Sequence, residues 1–389
     1  MGRRSIVFTI SAVVCSLSTS FAQMGNYKWN NTGSQLPSGM THATYHSNLM
    51  NVDIGYNIYL PPNYNSTTDR YPVVYSLHGM GGNENSNCQN YGSVLQNGIS
   101  SNAFPPVIVV FVNGRGNTFY SDSKDGAVKC ESSIMKELIP KIDATYRTKA
   151  DRTQRAIEGI SMGGFGALML GFKYPDMFGS IGTYDAALVT WDTLSQQTFD
   201  QSIPKSIFGS DRQYFNENSY PFTFAKKNAE TIKSLNIKVR MITGDNDVQM
   251  GPLYHYNCAM RDTLKKLNID LVEFKIIKGG THGAGMNATT IKENMIFHTT
   301  NFKSATPVSN PPTSLHQKNS MHSNSVTIKT TSFRIPQQFQ NSVDAATLYD
   351  LKGRNLGCIQ MNGTNCIENK MSQNRFSSGV FMLKGEGNK

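Results

Sequence analysis

Short apolar runs alternate with helix-like patterns between residues 45 and 302. The runs at 73–77 and 107–112 are bounded by Pro, Gly and Asn, which is typical of strands buried on both faces of a parallel sheet. Further strands are predicted at 155–158, 239–243 and 271–277, and helices at 162–173, 224–234, 256–267 and 288–298. Such repeated strand–helix units predict an α/β fold, with a mostly parallel sheet and helices on both faces.

One more helix is predicted between the second and third of these strands. Ile134, Leu138, Ile142 and Tyr146 recur every four residues, which is the spacing of one helix face. Pro140 lies inside this pattern. Because proline lacks the backbone N–H and clashes with the preceding turn, we expect the helix to be kinked there.

The segment Gly159-Ile160-Ser161-Met162-Gly163-Gly164 stands at a predicted strand-to-helix turn. Small residues at Gly159 and Gly163 let the strand and helix approach each other, so that the Ser161 hydroxyl is exposed at the carboxyl edge of the sheet. The helix that follows begins with free N–H groups that can stabilise developing negative charge. A bare Gly-x-Ser-x-Gly is frequent by chance, but the strand before it and the helix after it predict Ser161 as a nucleophile.

A serine hydroxyl needs a base, and the base needs an orienting acid. In folds with this turn the chain order is Ser, acid, His. His282 lies in a glycine-rich loop, 279–285, directly after the strand predicted at 271–277, where a base must be. The other downstream histidines fit less well. His255 lies close after the candidate acids and beside two tyrosines, which favours a packing or surface role. His298 ends a predicted helix, and His316 and His322 lie in the predicted linker.

Two carboxylates compete for the role of the acid. Asp245 and Asp247 both lie in the loop after the strand predicted at 239–243. Either of them could simply cap the loop, which is the common role of aspartate in such positions. Asp247 lies further along the loop and has more reach toward His282, so it is the preferred acid and Asp245 is the alternative.

Two backbone N–H groups are needed to stabilise an oxyanion. The first predicted donor is Met162, the residue after the nucleophile. The second is Met80, in the loop His78-Gly79-Met80-Gly81-Gly82 that follows an early strand. A glycine-rich loop can also hold phosphate, but no Gly-Lys-Ser or Gly-Lys-Thr follows this one.

The two ends of the chain differ in character from its centre. Arg3 and Arg4 precede an apolar stretch at 6–17 and small residues at 20–22, which predicts a signal peptide over 1–22 and export of the mature chain. No later segment reaches about 20 uninterrupted apolar residues, so no membrane span is expected. A Ser-, Thr-, Asn- and Pro-rich stretch predicts a linker at 303–325, followed by a small β-rich module at 326–389. The catalytic domain is therefore expected to occupy 23–302.

The net charge of +10 belongs mostly to this tail. Residues 303–389 hold ten Lys and Arg against four Asp and Glu, which gives +6, and Arg3 and Arg4 add +2. The catalytic region therefore keeps only +2 (10 − 6 − 2), and the charge gives no reason to expect a nucleic-acid partner.

Five cysteines remain after the predicted signal peptide: Cys88, Cys130, Cys258, Cys358 and Cys366. An odd number cannot pair completely within one chain. Cys358 and Cys366 flank a turn-rich segment and are the best disulfide candidates, although ordinary small buried residues are an equal interpretation. Neither the cysteine spacing nor the scattered histidines resemble a metal site, so no metal and no cofactor is expected.

The central region resembles the esterase D-like branch of the α/β-hydrolases, specifically carbohydrate esterase family 1. The resemblance covers about 45–302 and rests on the segments 59–64, 71–75, His78-Gly79, the turn around Ser161, 207–210 and 244–247. That family includes feruloyl esterases, acetylxylan esterases, formylglutathione hydrolases and mycolyltransferases. It implies an α/β-hydrolase fold and places the family's acid on Asp247. The tail from Leu348 resembles the C-terminal sorting module of secreted bacterial glycan-degrading enzymes, which implies contact with export machinery.

The implied reaction is ester hydrolysis by a secreted or cell-surface enzyme, with feruloyl or acetyl groups on plant cell-wall xylan as the substrate. The alternatives are an acyltransferase or a formylglutathione-hydrolase-like thioesterase of the same fold. A protein of another class, a catalytically dead carbohydrate-binding protein, is a further alternative. Tyr184, Trp191 and the segment 194–220 are candidates for a cap over the acyl pocket, although aromatic residues in such positions are more often part of a core.

Overall fold

The structure is a computed structural model, and it describes residues 27–196, 202–249 and 251–302, together with the backbone of four short strands between 345 and 385. The chain divides into two compact units, Met1–Ser314 and Leu315–Lys389. The predicted signal peptide and linker lie outside the described residues. The division into a catalytic domain and a C-terminal module therefore stays a prediction.

The first unit is built on an eight-stranded sheet in the order β1-β2-β4-β3-β5-β6-β7-β8. Its strands are β1 (Met40–Ser47), β2 (Val52–Tyr59), β3 (Val73–Leu77), β4 (Ile108–Val112), β5 (Arg155–Ile160), β6 (Ser180–Tyr184), β7 (Lys238–Gly244) and β8 (Leu271–Ile277). Strands β3 to β8 pair in parallel, and β1 and β2 form an antiparallel extension at one edge. The carboxyl ends of six parallel strands therefore meet at one edge of the sheet.

Both faces of this sheet are buried, as the apolar runs predicted. In β4, Ile108, Val110 and Val112 enter one hydrophobic core, whereas Val109 and Phe111 enter a second. This alternation follows from the two-residue period of a strand, whose side chains point to opposite faces. The described part of the chain thus confirms the mostly parallel α/β architecture.

Helices cover the two faces of the sheet. They are α1 (Cys88–Ser100), α2 (Cys130–Ser133), α3 (Ile139–Thr145), α4 (Met162–Lys173), α5 (Trp191–Gln196), α6 (Ser202–Ser206), α7 (Arg212–Asn218), α8 (Pro221–Lys227), α9 (Ala229–Ser234), α10 (Leu253–Lys266) and α11 (Ala288–Asn301). Helices α1 and α11 contribute to one core, and α4, α8 and α10 contribute to the other. The helix predicted at 224–234 is wrong as a single element, because it is interrupted at Asn228 between α8 and α9.

The predicted irregularity near Pro140 takes the form of a π-helical segment, Ile134–Leu138, between α2 and α3. The Ile139 N–H donates to the Ile134 carbonyl, five residues back, and Pro140 stands in the first turn of α3. Because Pro140 has no N–H to donate, the wider turn lets the helical run continue past it.

The second unit contains a four-stranded sheet in the order β11-β10-β9-β12. Its strands are β9 (Ala345–Tyr349), β10 (Asn355–Asn362), β11 (Asn365–Ile367) and β12 (Met382–Gly385), and all of their pairings are antiparallel. The β-rich character predicted for this region agrees with these strands. The side chains of Cys358 and Cys366 lie outside the described residues, so their pairing stays a prediction.

Candidate active site

Ser161 stands between β5 and α4 in a backbone conformation that few side chains adopt. Its φ is 57° and its ψ is −119°, and the residue is 7% exposed. A Cβ at Gly159 would lie 2.3 Å from the Gly163 carbonyl oxygen, and a Cβ at Gly163 would lie 2.2 Å from the Leu77 oxygen. No side chain fits at either position, because the backbone of the turn lies in close contact with itself and with the end of β3.

Three predicted residues meet at the carboxyl edge of the sheet. His282 Nε2 lies 2.8 Å from Ser161 Oγ, and His282 Nδ1 lies 2.9 Å from Asp247 Oδ2. An ionised carboxylate can only accept, so Nδ1 carries the proton and Nε2 is left to accept from the serine hydroxyl. Asp247 is fully buried, and its second oxygen has no hydrogen-bond partner among the described residues.

The alternative acid points elsewhere. Asp245 is exposed, and its carboxylate accepts a hydrogen bond from the Gly279 N–H at 2.5 Å. This contact joins the loops after β7 and β8 at the surface, which is the loop-capping role considered for it. Of the other histidines, His255 is exposed on α10, and His298 is buried on α11 against Ser180. His316 and His322 lie outside the described residues.

The loop that carries Met80 lies against the nucleophile. A Cβ at Gly79 would be 3.4 Å from Ser161 Cβ. Among the hydrogen bonds of the described residues, none has the N–H of Met80 or of Met162 as its donor. Both predicted donors are therefore available to a negative charge that develops beside Ser161.

Sequence reasoning missed how this loop is held. The buried His78 ring donates from Nδ1 to the Gly79 carbonyl at 2.8 Å and accepts at Nε2 from the Gly114 N–H at 3.0 Å. Burial lowers the pKa of His78 to about 4, so the ring is neutral at pH 7. Tyr120 donates to the His78 carbonyl at 2.9 Å, and its own φ of 57° is strained. The glycine-rich motif pointed to the loop but not to these supports.

A second missed residue is Asp185, which directly follows β6. It is fully buried with a φ of 44°, and its carboxylate accepts from the N–H groups of Gly244 and Gly285. These two glycines belong to the loops that carry Asp247 and His282. The signal that would have found Asp185 is its position as the first residue after a buried strand, but that strand was itself not predicted.

The residues suggested as a cap over the acyl pocket differ in their burial. Tyr184 is fully buried in β6, and its hydroxyl donates to Glu158 at 3.1 Å, so it belongs to the core and its cap role is wrong. Trp191 is half-buried and packs against Phe215 with 5.8 Å between ring centroids. The segment 194–220 is described except for 197–201, and its described part contains the last three residues of α5 and all of α6 and α7.

Among the described residues, no group of three His, Cys, Asp or Glu side chains is placed to hold a metal ion. In the same part of the chain, no helix has the length and apolar character needed to cross a bilayer. An open groove of about 610 Å³, lined by 38–41, 59–66 and Gln96, lies where β2 ends, beside the amino end of β4. It contains none of the residues around Ser161.

The sequence pattern of the Esterase family matches residues 47–252, which is just over half of the chain. The chain belongs to this family. The esterase is also 39% identical over 141 residues to an endo-1,4-beta-xylanase/feruloyl esterase of Xylanibacter ruminicola. That match covers 33% of this chain and 19% of the relative, so the esterase spans only a small part of the length of that protein.

Solved structures share the fold of the esterase. A ferulic acid esterase superposes with a TM-score of 0.58 at 23% identity, over 69% of this chain and all of the other. An S-formylglutathione hydrolase from Agrobacterium tumefaciens gives 0.55 at 17% identity, over 71% of this chain and 99% of the other. These likenesses show an α/β-hydrolase fold. Membership of the Esterase family supports a carboxylic ester hydrolase.

Proposed function

We propose that the esterase is a secreted serine enzyme that removes feruloyl or acetyl groups from plant cell-wall xylan. The observation that carries its mechanism is the hydrogen-bonded line from Ser161 through His282 to Asp247. The substrate class is supported by the name of the Xylanibacter relative and by the fold shared with a ferulic acid esterase.

In the proposed reaction, Ser161 Oγ attacks the ester carbonyl carbon while His282 Nε2 takes the hydroxyl proton. Asp247 keeps the imidazole in the right tautomer and stabilises its positive charge. The N–H groups of Met80 and Met162 bind the oxyanion of the tetrahedral intermediate. The bond to the sugar oxygen then breaks, and the alcohol leaves with the proton from His282.

Hydrolysis of the resulting acyl-enzyme completes the cycle. Water attacks the acyl carbon, and His282 takes a proton from it. Cleavage of the bond to Ser161 Oγ releases the free acid, and the proton returns to the serine. The buried position of Asp247 keeps water away from its contact with the ring, which strengthens the interaction with the transient imidazolium.

The experiment is a parallel assay of methyl ferulate and acetylated xylan with the wild type and with Ser161→Ala. The variant is expected to lose at least about 10³-fold in kcat, because the residual rate then comes only from binding and the oxyanion donors. Turnover by Ser161→Ala close to that of the wild type would refute the mechanism. Binding of xylan without hydrolysis of either ester would favour the carbohydrate-binding alternative.

A second candidate activity is a thioesterase that acts on S-formylglutathione, supported by the fold shared with the Agrobacterium protein. The same nucleophile and oxyanion donors would serve a thioester. S-formylglutathione assayed beside methyl ferulate separates the two, since the preferred substrate has the higher kcat/KM. We favour the cell-wall ester because the predicted signal peptide at 1–22 suits an exported enzyme.

The tail has its own proposed role. We infer that 303–325 is a linker and that 326–389 is a sorting module that contacts export machinery. The mass of the secreted protein tests this, because loss of residues 1–22 alone and loss of the tail give clearly different values. Hydrolysis of a small ester by a chain that ends at Phe302 would support the domain boundary, and an inactive but folded truncation would contradict it.

A further inference from the structure

Asp185 is a buried carboxylate at the carboxyl end of β6, and the mechanism above gives it no task. It is 0% exposed, and none of the ion pairs in the described residues includes it. Burying an ionised group without a cation is costly unless hydrogen bonds compensate for the lost water. Its buried position between the loops that carry Asp247 and His282 therefore calls for a functional explanation.

The contacts of Asp185 join the two loops that carry the acid and the base. Oδ1 accepts from the Gly244 N–H at 2.8 Å, and Oδ2 accepts from the Gly285 N–H at 2.7 Å. Gly244 precedes Asp247 by three residues, and Gly285 follows His282 by three. One carboxylate thus fixes the spacing of the two loops between which the Asp247–His282 hydrogen bond forms.

The backbone around Asp185 supports this role. Its φ of 44° is in the left-handed region, and its own N–H donates to the Ile242 carbonyl at 2.8 Å. A Cβ at Gly285 would lie 2.7 Å from Asp185 Oδ2, so only glycine allows the base loop to approach this closely. Strained residues persist where the surrounding structure holds them, and they are frequent at functional sites.

Charge adds a second effect. The pKa of Asp185 is raised above its ordinary value, because the effect of burial exceeds that of the two backbone N–H groups, which lower it. The titratable groups that face it are Asp247, which repels its charge, and His282, which attracts it when protonated. In its ionised form Asp185 thus attracts the imidazolium that forms when His282 takes the serine proton.

We propose that Asp185 is a positioning residue for ester hydrolysis, which ties the acid loop to the base loop. The inference rests on the proposed Ser161–His282–Asp247 mechanism. The mechanism and the role of Asp185 can be refuted independently. Ser161→Ala tests the nucleophile, whereas the Asp185 variants test only how the loops of Asp247 and His282 are held.

Asp185→Asn is the first test, measured as kcat and KM for p-nitrophenyl acetate from pH 5 to 9 together with the thermal midpoint. Asparagine offers one acceptor oxygen and turns an NH₂ group toward the second backbone donor, so the loops separate and the charge is lost. We expect kcat to fall by about 10- to 100-fold with KM changed less than about twofold, the range expected for hydrogen bonds to a charged group.

Gly285→Ala tests the geometry alone, because it displaces the Asp185 carboxylate without replacing it. It is expected to lower kcat with KM changed less than about twofold. Asp245→Asn is the matched control, since it removes a carboxylate that also accepts a backbone N–H from the loop after β8 but does not contact His282. It should change kcat by less than about twofold.

The outcomes decide the proposal without ambiguity. A lower kcat with KM changed less than about twofold in Asp185→Asn, together with wild-type kcat in Asp245→Asn, supports it. Wild-type kcat in Asp185→Asn, or an equal loss in Asp245→Asn, would overturn it. If Asp185→Asn does not fold, Gly285→Ala decides through kcat at an unchanged thermal midpoint, and wild-type kcat in that variant would overturn the proposal.

Discussion

Replacing His78 with glutamine tests how the loop that carries Met80 is held. Both ring nitrogens of His78 have fixed roles, because the Gly79 carbonyl can only accept and the Gly114 N–H can only donate. Protonation of Nε2 would point its hydrogen at the Gly114 N–H and break the link between the loops after β3 and β4. The ring is 1% exposed, so water cannot compensate for this loss.

The magnitude follows from the pKa of His78, which burial lowers from 6.5 to about 4. Between these pH values His78 is protonated in the unfolded chain and neutral in the folded protein. The free energy of unfolding therefore falls as pH drops through this window. At about 1.4 kcal/mol for each pH unit, the full loss is about 3 kcal/mol. About 2 kcal/mol of it is expected between pH 7 and pH 4.5.

The assay is urea unfolding of the wild type and of His78→Gln at several pH values from 7 to 4.5. Glutamine cannot titrate, although its side-chain oxygen can accept from the Gly114 N–H. We expect the variant to be less stable than the wild type at pH 7, but its free energy of unfolding should fall less between pH 7 and pH 4.5. Since all other titrating groups are shared, the difference between the two pH slopes isolates His78. Identical slopes in the two proteins would refute the reasoning.

Three further predictions concern the nucleophile turn, the core beneath it and the acid. Gly163→Ala places a methyl group 2.2 Å from the Leu77 carbonyl oxygen, so we expect the free energy of unfolding to fall by about 2–4 kcal/mol. An unchanged midpoint in urea unfolding would contradict this prediction. In Glu158→Gln, the new NH₂ group faces buried donors such as the Tyr91 hydroxyl, which donates to Glu158 at 2.6 Å. The free energy of unfolding should therefore fall by about 1–3 kcal/mol in the same measurement. Asp247→Asn should lower kcat for methyl ferulate by about 10³- to 10⁴-fold at unchanged thermal stability, and a loss below tenfold would exclude it as the acid.

The sequence was sufficient to predict a mostly parallel sheet and to bring Ser161 and His282 to one candidate site. Ser161 and His282 each follow a segment that can be recognised as a strand, and a strand end next to glycines is a strong local signal. The choice between Asp245 and Asp247 had a weaker basis, because the two carboxylates stand two residues apart on one loop. Their roles differ through tertiary contacts, one with Gly279 at the surface and one with His282 in the interior.

Asp185 was not predictable for a related reason. The strand before it, β6, reads Ser-Ile-Gly-Thr-Tyr and has no apolar run, yet all five residues are buried. Ser180 is accommodated by a hydrogen bond to His298 at 2.8 Å, and Tyr184 by its bond to Glu158. Partners that make a polar strand stable in a core come from distant segments, so the pattern along the chain does not reveal them.

Several residues in the loops at the carboxyl edge of the sheet have strained backbone conformations. In the described residues, the left-handed asparagines at 51, 63, 102, 236 and 268 are ordinary, because asparagine tolerates that conformation. The other non-glycine residues with positive φ are Arg115, Phe119, Tyr120, Ser161, Asp185 and Ser210. All of these except Ser210 follow the carboxyl end of β4, β5 or β6, around the nucleophile. Such conformations cost about 1–3 kcal/mol each, so the hydrogen bonds of Tyr120 and Asp185 must hold the loops against a tendency to relax. Loss of one of these bonds should therefore disturb the reacting groups before it disturbs the sheet beneath them.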